Sequence, residues 1–335
     1  MPSERTFVTE LATGLGMLGE DDLTTVITNR PSAFVNLSEE DWRRLGDLWT
    51  RDQYGAEFVA GFLNGQAFLA APDALNGRRP RIIEWTGGRR PPGDEVVPSD
   101  LRVDHVYLVS CKYLSRILHN PSPARLVDGL LSQAPPEDSR DWYERVAPVE
   151  YQHLYEACAG TDPSLPRLAG ELTTPERHRL AARLRSGWPA GAAEAYERLC
   201  LTVAKATADA WVTAIRAANA EAVMWRLLRI GSAPYFVLGS SRTGAMRLRI
   251  DTPWDWRRDY RFRRLEVEPQ PGGQPRVGWS VLYEVTNTGE DRIVRGHVEI
   301  RWSHGRFAQP PEAKVYLDSR HEDVPGYHPL SGRHG

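Results

Sequence analysis

The stretch "PSDLRVDHVYLVSCKYLS", Pro98 to Ser115, ends an apolar run with a lysine. Side chains alternate along a strand, so Leu108, Ser110 and Lys112 share one face while Val109 and Cys111 share the other. The chain holds 42 Lys+Arg, of which only Lys112, Lys205 and Lys314 are lysines. The arginine bias fits a GC-rich genome, and a lysine kept in this run suggests a need for an ammonium. If the segment from Asp100 pairs antiparallel through a loop of Val103, Asp104 and His105, Arg102 stands opposite Val106 and Asp100 opposite Leu108. Asp100 then shares a face with Ser110 and Lys112. An even-length loop would turn it to the other face, because an odd shift of register flips every side chain. Asp and His tolerate the left-handed conformation that such a loop uses.

A carboxylate and an ammonium meeting at a sheet edge define a chemistry. The carboxylate suits a hard divalent cation that keeps waters, and the ammonium can acidify a bound water or offset charge growing on a phosphate. Arginine would bring the charge on a larger fork that does not readily deprotonate. Pro98-Ser99-Asp100, the run Val106 to Val109, Ser110-Cys111-Lys112 and a helix from Ser122 together resemble the PD-(D/E)xK nuclease superfamily, which includes many restriction endonucleases. The likeness spans residues 54–132 and departs from the pattern twice. Ser99 separates Pro98 from Asp100, and Ser110 stands where the motif has an acid. The resemblance implies a Mg2+-dependent site with catalytic Asp100, Lys112 and Ser110. Asp100 binds metal in that reading, and Asp128 on the following helix, Glu84 or Glu57 supplies the missing acid. Each of the three acids also has a plain reading, as a solvated helix residue, an edge-strand carboxylate and a surface charge respectively. Glu312-Ala313-Lys314 fits the letters better but opens a strand after prolines, which reverses the geometry and makes it a decoy for the metal site.

Around this hairpin the chain reads as an α+β protein, with a restriction-endonuclease-like mixed sheet flanked by helices, a large helical section and a C-terminal β-rich region. Residues 1–50 form an N-terminal helical segment, where Ser38 caps a helix with Trp42, Leu45, Leu48 and Trp49 on one face. Residues 51–135 hold the nuclease-like core, 136–230 a helical section, 231–328 the β-rich region and 329–335 a loose tail. Ser122 and Pro123 open a helix, Thr-Pro opens another near residue 174, and "TNTGED" reads as a hairpin turn.

With 335 residues and 41% hydrophobic content there is material for one large domain or two ordinary ones. A net charge of -2 carries no basic surplus to announce a nucleic-acid partner. Cys111, Cys158 and Cys200 are too few and scattered for a disulfide framework or a Cys-rich zinc site, which predicts a reducing, cytoplasmic setting. No signal peptide and no apolar run of membrane-spanning length are expected. The histidines form no HExxH, and GxSxG, the P-loop and GxGxxG are missing, which removes several enzyme classes.

In "HVEIRWSHGRF", alternation puts Val298, Ile300, Trp302 and His304 on one face and Glu299, Arg301 and Ser303 on the other. The plain reading is a half-buried strand, and the functional one sends Arg301, His304 and Arg306 to DNA. In "DTPWDWRRDYRFRR", aromatics interleave with Arg257 and Arg258 in a pattern that suits nucleic acid or a protein interface, and Lys314 is a further phosphate contact. The expected function is a site-specific double-stranded DNA endonuclease of restriction type, acting as a homodimer because two copies of one site cut two antiparallel strands. The alternative is a non-catalytic DNA- or protein-binding module with a degenerate nuclease core.

Overall fold

The computed structural model describes residues 3–87, 99–113, 117–129, 141–160, 162–241, 244–270 and 272–330. Pro98, most of the Gly/Pro/Arg-rich stretch before it and the last five residues of the expected tail lie outside these. In chain order come helices α1 (Glu4–Gly16) and α2 (Leu23–Asn29), strand β1 (Phe34–Val35), α3 (Glu39–Thr50) and α4 (Gly55–Ala70). Strands β2 (Ile83–Trp85), β3 (Leu101–Val103), β4 (Tyr107–Tyr113) and β5 (Ile117–His119) follow. Next are α5 (Pro123–Val127), α6 (Trp142–Val146), α7 (Pro148–Ala159), α8 (Thr174–Arg183), α9 (Ala192–Ala217) and α10 (Ala220–Leu227). The chain continues through β6 (Tyr235–Ser241), β7 (Gly244–Ile250), α11 (Pro253–Asp259), β8 (Tyr260–Gln270), β9 (Arg276–Val285), β10 (Glu290–Arg301), β11 (Glu312–Leu317) and β12 (Tyr327–Pro329).

The protein is α+β and forms two compact units, each assembled from separated segments. The first contains residues 1–116, 229–259 and 321–335, and the second residues 117–228 and 260–320. The sequence reading cut the chain into consecutive blocks, whereas the units interleave.

The first unit has a seven-stranded mixed sheet in the order β1-β2-β3-β4-β6-β7-β12, parallel only at β1–β2 and β4–β6. Ile83, Leu101, Val103, Val109, Cys111, Phe236 and Leu238 bury one side of it in a core shared with α1 and α4. Phe68 on α4 meets Phe236 edge-on at 4.9 Å. Full burial of such a ring is worth roughly 1.5–3 kcal/mol relative to exposure. The start of α3 follows its sequence signal. Ser38 and Asp41 form the reciprocal capping box of α3, which satisfies two N–H groups that the first turn leaves unpaired.

The second unit holds a five-stranded antiparallel sheet, β5-β11-β10-β9-β8. The "TNTGED" turn joins β9 to β10, with Val285 facing Glu290 and Gly289 at φ 69°. Alternation on β10 holds through buried Val298 and Ile300, but the strand ends at Arg301, short of Trp302 and His304. Thr173 and Glu176 cap α8 as its Thr-Pro start predicts, and Ser122 caps α5. The long alanine-rich helix breaks after Ala217, and Asn219 accepts hydrogen bonds from Glu221 and Ala222 to start α10. Among the described residues no helix is long and apolar enough to cross a membrane.

Candidate active site

The β3–β4 hairpin pairs Leu101 with Val109, Arg102 with Leu108 and Val103 with Tyr107. Its loop is Asp104, His105 and Val106, one residue later than the sequence reading placed it. Asp104 and His105 both adopt left-handed conformations, at φ 49° and 60°. The later turn moves the pairing by two residues, an even step, so no side chain changes face. Asp100 consequently stands across from Ser110 instead of Leu108, and its N–H donates to the Val109 carbonyl at 2.8 Å. Asp104 fixes the turn by accepting from the Arg81 and Ile82 amides at 2.7 and 3.2 Å and from Arg78 at 2.7 Å. Burial opposes its ionisation, yet these donors hold its carboxyl below the usual range.

Asp100 is positioned by the strand it faces. Its Oδ2 accepts from the Cys111 amide at 2.6 Å and from the Ser110 hydroxyl at 3.1 Å. Ser110, 1% exposed, orients the carboxylate from the slot where the motif has an acid.

Lys112 lies on the same face as Ser110, next to β6, where its register partner is Gly239. A Cβ on Gly239 would fall 2.2 Å from the Lys112 carbonyl oxygen and 2.8 Å from the Lys112 Cβ, so only glycine lets the strands approach this closely. The Lys112 ammonium makes no hydrogen bond or ion pair among the described residues. Burial pushes its pKa below the usual lysine range, and the Arg229 guanidinium pushes the same way against Asp100, Cys111 and Glu10. Burial also drives the Cys111 thiol well above its ordinary value, which keeps it protonated.

The acids proposed to complete the site are otherwise engaged. Glu84 accepts a two-pronged bond from Arg102 at 2.6 and 2.7 Å and pairs with His105 at 2.9 Å. The Arg102 hydrogen bonds hold its pKa down. Glu57 is buried on α4 against Arg5 at 2.8 Å. Asp128 belongs to the second unit, where it pairs with Arg145 at 2.7 Å. The carboxylate that sequence reasoning missed is Glu10, on α1. It is 5% exposed, accepts from Trp85 Nε1 at 2.7 Å, and its charge reaches both Cys111 and Lys112. The signal was a lone acid in the otherwise uncharged stretch "FVTELATGLG".

Among the described residues no group of three or more His, Cys, Asp or Glu is gathered as a metal cage. Magnesium does not need one, because it keeps several waters and takes one or two carboxylates together with substrate phosphate oxygens. Asp100 fits that requirement through Oδ1, which has no donor among the described residues, while Glu10, held by Trp85 on the α1 side of the sheet, reaches the Cys111–Lys112 segment through its charge.

The residues read as DNA contacts are mostly tied to neighbours. Arg301 pairs with Glu299 at 3.4 Å, and His304 and Lys314 with Glu312 at 3.7 and 3.6 Å. Arg306 lies over the Trp188 ring at 4.1 Å and donates to the Leu184 carbonyl, so it serves packing in its own unit. Arg257 is exposed on α11, and Arg258 pairs with Asp255 and Asp259. Beside them Trp254 is 84% exposed, while Trp256 is buried. Comparison of the chain with family models, with curated proteins and with solved structures finds no match.

Proposed function

We propose that the first unit is a nuclease core of the PD-(D/E)xK type and that the protein is a site-specific, magnesium-dependent endonuclease acting on double-stranded DNA as a homodimer in the cytoplasm. The observation that carries this reading is Lys112, a desolvated ammonium without an ion-pair partner among the described residues, on the same hairpin face as Asp100. Strongly perturbed groups of this kind concentrate at functional sites. Asp100 would hold the metal together with waters and substrate phosphate oxygens, and the metal supplies Lewis acidity and an activated water when bound. Ser110 and the Cys111 amide fix the Asp100 carboxylate, so its free oxygen needs no reorganisation. Lys112 offsets the charge that grows on the phosphate, and its depressed pKa brings proton exchange with the attacking water closer to neutral pH.

Plasmid and linear DNA incubated with Mg2+ should yield fragments of defined length, and chelator should stop the reaction. Lys112→Ala and Asp100→Ala should each lower the cleavage rate by roughly 10²-fold or more while leaving the unfolding midpoint close to wild type. A large fall in midpoint would instead make the two residues structural.

A second reading has its own support. Glu84, Glu57 and Asp128 are each occupied by an arginine, and Ser110 fills the acid slot, as in a degenerate core that binds DNA or protein without cutting. Retained DNA binding with no cleavage of varied substrates in Mg2+ or Mn2+ would favour it.

A further inference from the structure

Arg229 follows α10 with a left-handed backbone at φ 57° and is 5% exposed. Its Nη1 donates to the Tyr235 hydroxyl, but its Nε has no partner among the described residues, and no carboxylate there lies within ion-pairing distance. A buried guanidinium ordinarily has an anion, because removing its charge from water is costly. Tyr235 lies at the other end of β6 from Gly239, on the sheet face that carries Lys112. Through the Tyr235 hydroxyl, Arg229 is tied to the face that carries Lys112. Tyr327 is aligned with Tyr235 through Ile250 and is also buried, which makes this end of the face a hydroxyl-bearing, low-dielectric surface.

We propose that Arg229 and Lys112 together form an oxyanion site for a phosphate group, with Arg229 supplying a fork and Lys112 a point charge. The inference rests on the site proposed above, whose Lys112 it shares, and adds Arg229 to it. Arginine suits this position because its planar donors match two phosphate oxygens, while an ammonium contacts one. The charge of Arg229 already acts on Lys112, and a phosphate between them would relieve that repulsion. The phosphate can come from a DNA backbone or from free phosphate.

The presence of only three lysines allows a direct test. In protein labelled with 13C-lysine, the Lys112 signal is assigned by its loss in Lys112→Met. It is then followed at fixed pH in chelator, which excludes cleavage, while inorganic phosphate or an unphosphorylated short duplex is added. Saturable movement of Lys112 with phosphate, without matching movement of Lys205 and Lys314, is the expected result. Movement with duplex alone supports the site and assigns it to the DNA backbone. A Lys112 signal unmoved by either, or three lysines moving alike, overturns the site. Arg229→Gln should weaken phosphate binding by about tenfold or more, and a folded variant with wild-type affinity removes Arg229 from the proposal. If Arg229→Gln does not fold, Arg229→Lys decides, since it keeps the charge and loses the fork; unchanged affinity overturns the assignment. DNA cleavage by a protein whose Lys112 ignores both probes would sink the oxyanion site alone, whereas phosphate binding without cleavage would sink the nuclease reading alone.

Discussion

Gly239 illustrates how much a site can depend on a residue with no chemistry. Parallel pairing of β4 with β6 brings the Lys112 backbone to where a Cβ would sit. Alanine there must push the strands apart or displace Lys112, and overpacking of this kind costs about 1–3 kcal/mol. Gly239→Ala is expected to lower the urea midpoint and, in the fraction that folds, to move the Lys112 signal. A variant with both unchanged would mean that the strand pair relaxes freely. The same scale explains which acids the sequence ranked and which it could not. Asp100 was identifiable because the hairpin parity that gives it a face depends on counting residues. Glu84, Glu57 and Asp128 were indistinguishable as letters, since what separates them is an arginine that arrives from elsewhere in the fold.

At the scale of the element, caps were readable and their energetics were not. Asp141 begins α6 by accepting from the Tyr143 amide at 2.9 Å, and Tyr151 donates to its other oxygen at 3.4 Å. Burial pushes its pKa up to about 6, with the Tyr143 hydrogen bond and Arg177 working in the other direction. Between the unfolded pKa near 4 and about pH 6 the native state binds a proton that the unfolded chain has lost, so this group's contribution to stability falls as pH rises through that window. The size is on the order of 3 kcal/mol. Asp141→Asn should remove this slope while retaining a carbonyl oxygen for the cap. Denaturation midpoints of both proteins across pH 4–7 would show the difference curve, and parallel curves would assign Asp141 an ordinary pKa.

Interleaving governs the whole molecule. The first unit draws β1 to β4 from the first segment of the chain and β6, β7 and β12 from two later ones. A fragment of residues 1–116 keeps α1, α4 and the Asp100–Lys112 hairpin but leaves β4 as an open edge and the Phe236 and Leu238 positions of the core empty. An exposed edge beside apolar surface is an aggregation template. The fragment is expected to lack cooperative unfolding by circular dichroism and to elute as aggregate. A monomeric fragment with a sharp transition would show that four strands and the helices suffice.

From the sequence alone came the α+β class, the helix starts at Ser38, Ser122 and Thr173, the hairpin and the shared face of Asp100, Ser110 and Lys112. These are local: caps, alternation and turn chemistry act over a few residues and repeat with a fixed period. Tertiary structure alone decided that Glu10 and Arg229 bear on Lys112, that Asp128 belongs to another unit, and that consecutive blocks of chain are shared between two cores. Those outcomes depend on pairings such as Lys112 with Gly239, more than a hundred residues apart in sequence. No local periodicity encodes such a contact, because burial and charge partners exist only once distant segments have closed on one another.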